Sequence, residues 1–281
     1  MTSQFVLTLS CPDRVGVVHA VSGFLVARDG NIRDSQQFSD PGSRRFFMRV
    51  HFEVDRLREE LAGDFAETVG EFGMDWQLHD LAVRPRVLIL ASKPGHCLND
   101  LLYRFRTGSL RGDLAAAASN HTDWQDLVDS HDVPFWHLPV ASDSRAAQEQ
   151  RLLELIAEHR VDVVVLARYM QILSDGFCDK LPGQIVNIHH SFLPSFKGAK
   201  PYHQAYERGV KLIGATAHYV TADLDEGPII EQETARVDHA MAPEQLAAVG
   251  RDLECAVLAR GLSSHLDHRV LLNGRRTVVF R

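Results

Sequence analysis
The sequence predicts an α/β protein of two domains: a ferredoxin-like domain at the N-terminus, then a Rossmann-like domain on a mostly parallel open sheet. Three observations support this. The first 83 residues read strand-helix-strand-strand-helix-strand, the split arrangement of ferredoxin-like domains. Beyond Arg84, short apolar strands alternate with helical stretches. One of those strands, Val161-Asp-Val-Val-Val-Leu-Ala167, is apolar almost without a break, as a strand covered on both faces must be.

Each element follows from local pattern. Phe5 to Leu9 alternates as a strand, and Cys11-Pro-Asp-Arg-Val-Gly16 turns into a helix with Val17, Val18, Val21, Phe24 and Leu25 on its apolar face. Asp29-Gly30-Asn31 closes that helix, since Gly and Asn tolerate the left-handed conformation. Ile32 to Ser39 and Arg45 to Val54 pair as a hairpin around Asp40-Pro-Gly42. A second helix covers 57–72, and 75–81 forms the last strand. Arg84-Pro85-Arg86 reads as a joint, which places the domains at 1–83 and 84–281. The second domain continues with strand 87–91, helix 98–106, strand 114–119, helix 124–130, strand 135–140, helix 145–159 and strand 161–167. Internal repeats and low-complexity stretches are absent.

Composition narrows the function classes. The 281 residues carry a formal net charge of -7, which argues against a nucleic-acid surface, and 45% apolar content is ordinary for a globular core. No segment approaches the roughly 20 apolar residues of a membrane span, and a basic-then-apolar leader is lacking. The four cysteines (Cys11, Cys97, Cys178, Cys255) have no short paired spacing, as expected of reduced thiols in a cytoplasmic protein. The pairs His189-His190 and His265-x-x-His268 lack a third ligand at recognisable spacing, so no metal is expected.

The chemistry concentrates late in the chain. Ile185-Val-Asn-Ile-His189 alternates, so Asn187 and His189 share one side of a pleated strand that breaks at Leu193-Pro194. A second strand, Leu212 to Val220, exits through a polar turn carrying Asp225. In parallel open sheets ligands bind beyond the carboxyl ends of strands, and both groups are expected there. An amide, an imidazole and a carboxylate suit a carbonyl reaction: two hydrogen-bond donors for an oxyanion, and one proton acceptor.

Longer motifs carry a resemblance. Asn187-Ile-His-His-Ser-Phe-Leu-Pro194, Leu224-Asp-Glu-Gly227 and Leu166-Ala-Arg-Tyr-Met-Gln-Ile-Leu173 look like the signature of folate-dependent formyl-transfer enzymes. Pro12-Asp-Arg-Val-Gly16 with Asn31-Ile32 resembles an ACT domain, and an ACT domain before a formyltransferase-like domain is the layout of the formyltetrahydrofolate deformylase family. Pro201-Tyr-His-Gln-Ala-Tyr-Glu-Arg-Gly209 and Gly214-Ala-Thr-Ala-His-Tyr219 are similar to that family in particular. The resemblance implies that Asn187, His189 and Asp225 are catalytic, with the division of proton transfer between His189 and Asp225 left open. It implies backbone contacts to a pterin ring from Met170, Gln171, Ile172 and Leu173, although these side chains also suit core packing. His218 is expected behind the site. His190 should point away from His189 if the strand stays regular, as a structural partner or as part of the water site.

The resemblance departs from the transferases at Ser92-Lys-Pro-Gly-His-Cys97. Glycinamide ribonucleotide formyltransferases have a small-residue loop there that cradles a phosphate; here Pro94 removes one donor, and His96 and Cys97 are bulky. Water is then the natural acceptor. The expected activity is hydrolysis of 10-formyltetrahydrofolate to tetrahydrofolate and formate, serving one-carbon balance and purine synthesis, with the folate as substrate and no separate cofactor. Alternatives are a formyltransferase acting on an amine, or a non-enzymatic folate or amino-acid sensor. The ACT resemblance implies a homo-oligomer with an amino-acid effector near Asp13, Arg14, Gly16 and Asn31, where the plain reading is a helix-capping turn with Asp13 in the first turn.

Overall fold
The computed structural model describes residues 2–140, 145–193 and 201–281. The chain divides into two compact units, one of Met1–Arg84 with Asp267–Arg281, the other Pro85–Leu266.

The first unit contains β1 (Ser3–Pro12), α1 (Val17–Val26), β2 (Asn31–Asp40), β3 (Arg45–Val54), α2 (Arg58–Val69) and β4 (Asp75–Asp80). The sheet order is β2-β3-β1-β4, and each neighbouring pair is antiparallel. Alternation puts Phe5, Leu7 and Leu9 of β1 beside Met48, Val50 and Phe52 of β3, in one core with Val21, Phe24, Leu61 and Phe65 of the two helices. Asp29, rather than the neighbouring Gly30, takes the left-handed conformation after α1 (φ 58°), and Gly30 N–H closes on Leu25 O at 2.8 Å.

The C-terminal tail belongs with this unit, whereas the sequence reading ended the first domain at residue 83 and placed the tail in the second. Arg49 donates to the carbonyls of Asp267 and His268, each at 3.1 Å, and His79 stacks on His268 with ring centres 3.6 Å apart. Asp40 accepts from Asn273 and Arg276, both at 2.7 Å. Hydrogen bonds from Asn273, Ser43 and the Gly42 amide hold the Asp40 carboxyl well below its usual range. Arg49 and Asp267 are 218 positions apart and Asp40 and Asn273 are 233 apart, beyond the reach of local pattern.

The second unit runs β5 (Arg86–Ala91), α3 (His96–Arg106), β6 (Asp113–Ser119), α4 (Gln125–Asp129), β7 (Phe135–His137), α5 (Arg145–Glu158), β8 (Val163–Ala167), α6 (Asp175–Cys178), β9 (Ile185–His189), α7 (Pro201–Glu207), β10 (Leu212–Tyr219), β11 (Ile229–Arg236) and α8 (Pro243–Leu266). Strand order is β11-β10-β9-β8-β5-β6-β7. From β7 to β9 every neighbouring pair is parallel, and β8 is buried along its whole length, as its apolar run requires. β10 and β11 are antiparallel additions at one edge. No helix among the described residues is long and apolar enough to cross a membrane.

Candidate active site
Strand alternation aims Asn187 and His189 to one side of β9, and β10 lies against them. His218 is paired with Asn187, and Thr216 with His189. Asn187 Nδ2 lies 3.0 Å from His218 Nε2, while His218 Nδ1 lies 2.9 Å from the Tyr219 carbonyl. A carbonyl can only accept, so Nδ1 carries the proton and Nε2 presents a lone pair to the Asn187 amide. Burial pushes the basicity of His218 down, which keeps this neutral tautomer.

Asp225 reaches the same place by a route that strand-end reasoning did not foresee. Because β10 is antiparallel, its exit lies level with the start of β9: Tyr219 is opposite Val186, and Val220 N–H donates to Ile185 O at 2.9 Å. The following loop folds back, with Tyr219 N–H donating to Pro228 O at 2.9 Å and Asp225 in the left-handed region at φ 56°. Gly227 permits the fold, since a Cβ there would lie 1.8 Å from Tyr219 O. Asp225 Oδ1 ends 3.3 Å from His189 Nδ1 and 3.8 Å from His218 Nε2. The hydrogen bond from His189 outweighs partial burial and lowers the Asp225 pKa.

His190 does not point away from His189. β9 ends at His189, so alternation stops there, and the two imidazoles stack with centres 4.8 Å apart and planes 19° from parallel. Thr216 ties down the departing segment: its hydroxyl donates to Ser191 O at 2.9 Å and accepts from Leu193 N–H at 3.1 Å. Pro194 lies outside the described residues. Burial, with help from Arg168 and His189, lowers the His190 pKa to about 4. Among the described residues, Nε2 of both His189 and His190 is buried without a hydrogen-bond partner.

The expected pterin wall divides. Met170 and Ile172 are 54% and 61% exposed, so core packing does not account for them, whereas Leu173 packs against the core beside β8. Gln171 is half-buried. The Met170 amide already donates to Ser92 Oγ at 3.0 Å.

The loop after β5 is filled from within. Trp124 Nε1 donates to the Ser92 and Lys93 carbonyls at 2.9 and 3.2 Å, and its ring would lie 2.3 Å from a Cβ on Gly95. Below the loop, Glu254 of α8 is 1% exposed, accepting from Tyr202 Oη at 2.6 Å and lying 2.7 Å from His96 Nε2 and 3.4 Å from Arg168 Nε. These contacts outweigh burial, and the Glu254 carboxyl is held below its usual value. His96, Cys97 and Glu254 place potential metal-ligand atoms within 4.8 Å of one another. The sequence reading, which expected no metal, did not foresee this grouping. The adjoining Arg168 guanidinium already balances the carboxylate, which argues against a cation there. Glu254 itself escaped sequence reasoning because α8 was not recognised. The available signals were the proline-free run after Pro243 and a carboxylate set among Leu253, Ala256 and Val257.

In the first unit, the capping reading of the Asp13 loop does not hold: α1 starts at Val17 with Gly16 (φ 100°) at its N-cap, without a side-chain cap or an acidic residue in its first turn. Asp13 instead meets the Ser39 hydroxyl, Arg14 lies 4.8 Å over the Phe72 ring, and Asn31 donates to Glu53 at 3.2 Å.

Fold and site together define a formyl-transfer α/β enzyme fused to an ACT domain: residues 85–262 match the Formyl transferase family and residues 5–62 the ACT domain family. The chain is 50% identical to a formyltetrahydrofolate deformylase of Corynebacterium sp. (strain P-1) over 99% of its own length and 98% of that protein. It is 48% identical to the corresponding protein of Bacillus subtilis (strain 168), covering 98% and 93%. The crystal structure of a formyltetrahydrofolate deformylase from Burkholderia mallei superposes with a TM-score of 0.95 at 51% identity, covering 99% of this chain and all of that one. The chain belongs to the formyltetrahydrofolate deformylase family.

Proposed function
We propose that this protein hydrolyses 10-formyltetrahydrofolate to tetrahydrofolate and formate, with Asn187, His189 and Asp225 as its catalytic residues. The observation that carries the reading is the convergence on one face of β9: Asp225 3.3 Å from His189, and Asn187 oriented by His218 at 3.0 Å. The folate is the substrate, and the mechanism requires no separate cofactor.

Water adds to the formyl carbon, and Asp225 takes one of its protons. The carbonyl oxygen gains charge as the tetrahedral intermediate forms. One N–H of the Asn187 amide is committed to His218, and the other is left to donate to this oxyanion. When His189 carries both ring protons, Nδ1–H faces Asp225 and Nε2–H remains as a second donor. A single donor of this kind contributes ~3 kcal/mol at the transition state. The carbon–N10 bond then breaks, N10 receives the proton held by Asp225, and the acid product ionises to formate. Met170, Gln171, Ile172 and Leu173 border the pterin. His190 stays neutral beside the attacking water, and His218 acts through Asn187.

Trp124 supports water as the acceptor. Its indole occupies the turn where a phosphate cradle would need open backbone donors. On this reading the protein is cytoplasmic and serves one-carbon balance and purine synthesis. It is a homo-oligomer using β2, an edge strand with Ile32 and Phe38 exposed. An amino acid bound near Asp13, Arg14, Gly16 and Asn31 regulates it.

The deciding experiment incubates purified protein with 10-formyltetrahydrofolate and no amine, following tetrahydrofolate and formate. Steady release is expected; release only after an amine is added would make the protein a transferase.

A further inference from the structure
The segment that follows β8 is not held by its own backbone. Residues 168–174 are neither helix nor strand, and among the described residues no backbone–backbone hydrogen bond holds 169–173. Met170 and Ile172 nevertheless stand out from it, more than half exposed, at the carboxyl edge of the parallel strands. Without a ladder, such a stretch presents a fixed face only if side chains tie it down.

Three elements supply those ties. Just past β5, Ser92 is 2% exposed; its hydroxyl donates to Asn120 Oδ1 at 2.6 Å and accepts from the Met170 N–H at 3.0 Å. From α5, Gln148 donates to Tyr169 Oη and to the Leu138 carbonyl, each at 3.0 Å, which uses both N–H groups of its amide. The next residue, Glu149, accepts from the Ser174 N–H at 2.7 Å and from the Ser174 hydroxyl. That hydroxyl accepts in turn from the Phe177 N–H at 3.2 Å and caps α6. The Glu149 side chain is 12% exposed, and a carboxylate gripping two donors of one residue leaves that residue little freedom. The stretch is thereby pinned at Tyr169, Met170 and Ser174, leaving Gln171, Ile172 and Leu173 as a short span between fixed ends.

We propose that Ser92 and Glu149 are positioning residues for folate binding, acting through Met170 and Ser174. The inference rests on the reading that Met170, Gln171, Ile172 and Leu173 border the pterin. Because Ser92 holds the Met170 N–H, that donor is withheld from the ligand, and the face left to it is set in advance. A wall fixed before binding needs no ordering when the folate arrives. It serves substrate, transition state and product alike, so its loss appears in KM and in product affinity rather than in kcat.

The test uses the full chain, with tetrahydrofolate as the binding probe in fluorescence titrations and turnover of 10-formyltetrahydrofolate measured in parallel. Glu149→Ala should weaken tetrahydrofolate binding and raise KM, each about tenfold, with kcat within about twofold of the parent. Glu149→Gln keeps an acceptor for the Ser174 N–H and should restore most of the affinity. Ser92→Ala probes the other end of the span and keeps the proposal testable if Glu149→Ala fails to fold; it too should raise KM and spare kcat. Residues serving stability alone would lower the thermal midpoint and leave KM and tetrahydrofolate affinity at parental values in the folded variants. That result, a fall in kcat without a rise in KM, or no tetrahydrofolate binding by wild-type protein overturns the proposal. Tetrahydrofolate binding that depends on Glu149, in a protein that hydrolyses nothing, would keep the proposal and remove the hydrolase reading. Hydrolysis with KM and binding indifferent to both residues would do the reverse.

Discussion
Asn187 and His218 face each other across two antiparallel strands, amide to imidazole at 3.0 Å, with the far side of the imidazole bound to the Tyr219 carbonyl at 2.9 Å. The contact orients an amide that would otherwise rotate freely. His218 sits 2% exposed, too deep to be a surface contact.

The first prediction concerns that pair. Asn187→Ala should lower kcat by about 10²–10³, the range for loss of one oxyanion donor. His218→Ala, which leaves the amide present but unoriented, should cost less, about tenfold, with little change in KM. Steady-state kinetics on 10-formyltetrahydrofolate distinguish the two, and equal losses would contradict an indirect role for His218.

Asp225→Asn should retain folate binding while turnover falls by about 10² or more, since general acid–base groups contribute on that scale. Binding is read by fluorescence titration and turnover by formate release. Parental turnover in this variant would remove Asp225 from the mechanism.

Gly227→Ala tests the route by which Asp225 arrives. The added methyl would meet Tyr219 O at 1.8 Å, a backbone atom that cannot step aside. The loop must shift, carrying Asp225 from His189. A loss of activity approaching that of Asp225→Asn is expected, with the circular dichroism spectrum preserved.

Gly95→Ala tests the packed loop after β5. Its new Cβ would lie 2.3 Å from the Trp124 ring, and overpacking of this kind typically costs about 1–3 kcal/mol. Urea unfolding reads the change. An unaltered midpoint would mean that Trp124 does not hold the turn closed.

Stability should fall as pH drops from about 6.5 towards about 4. Burial depresses the folded pKa of His190 and of His265, each to about 4, and lowers that of His218. In this window the unfolded chain binds more protons than the folded one, so acid favours unfolding. Each of the two larger shifts is worth at most about 3 kcal/mol. The lowered Asp225 pKa acts further down: its contribution is complete above the ordinary carboxylate value and is lost only as pH falls through the folded one. His265→Gln should flatten the dependence between pH 7 and pH 5 in urea titrations, since Tyr219 Oη, 2.7 Å from His265 Nδ1, still has an acceptor.

Much of the site was legible because some of its geometry is local. The two-residue period of Ile185–His189 puts Asn187 and His189 on one side without any tertiary information. Val163–Ala167 announces a doubly covered strand by composition alone. His190 departs from the alternation because the two-residue period, on which its expected orientation was conditional, holds only to the strand end at His189. Glu254 and His96 are 158 positions apart, and no local window relates them.

By itself, the sequence determined the order of strands and helices as far as β8, the family, and which amide, imidazole and carboxylate are available, because periodicity and motif reside in neighbouring residues. Only the tertiary structure decided that β10 runs antiparallel, that the Asp225 loop doubles back to His189, and that the tail from Asp267 joins the first unit. Those outcomes depend on which distant backbone edges and side chains satisfy one another's hydrogen bonds and burial, and that choice is made only when the whole chain packs.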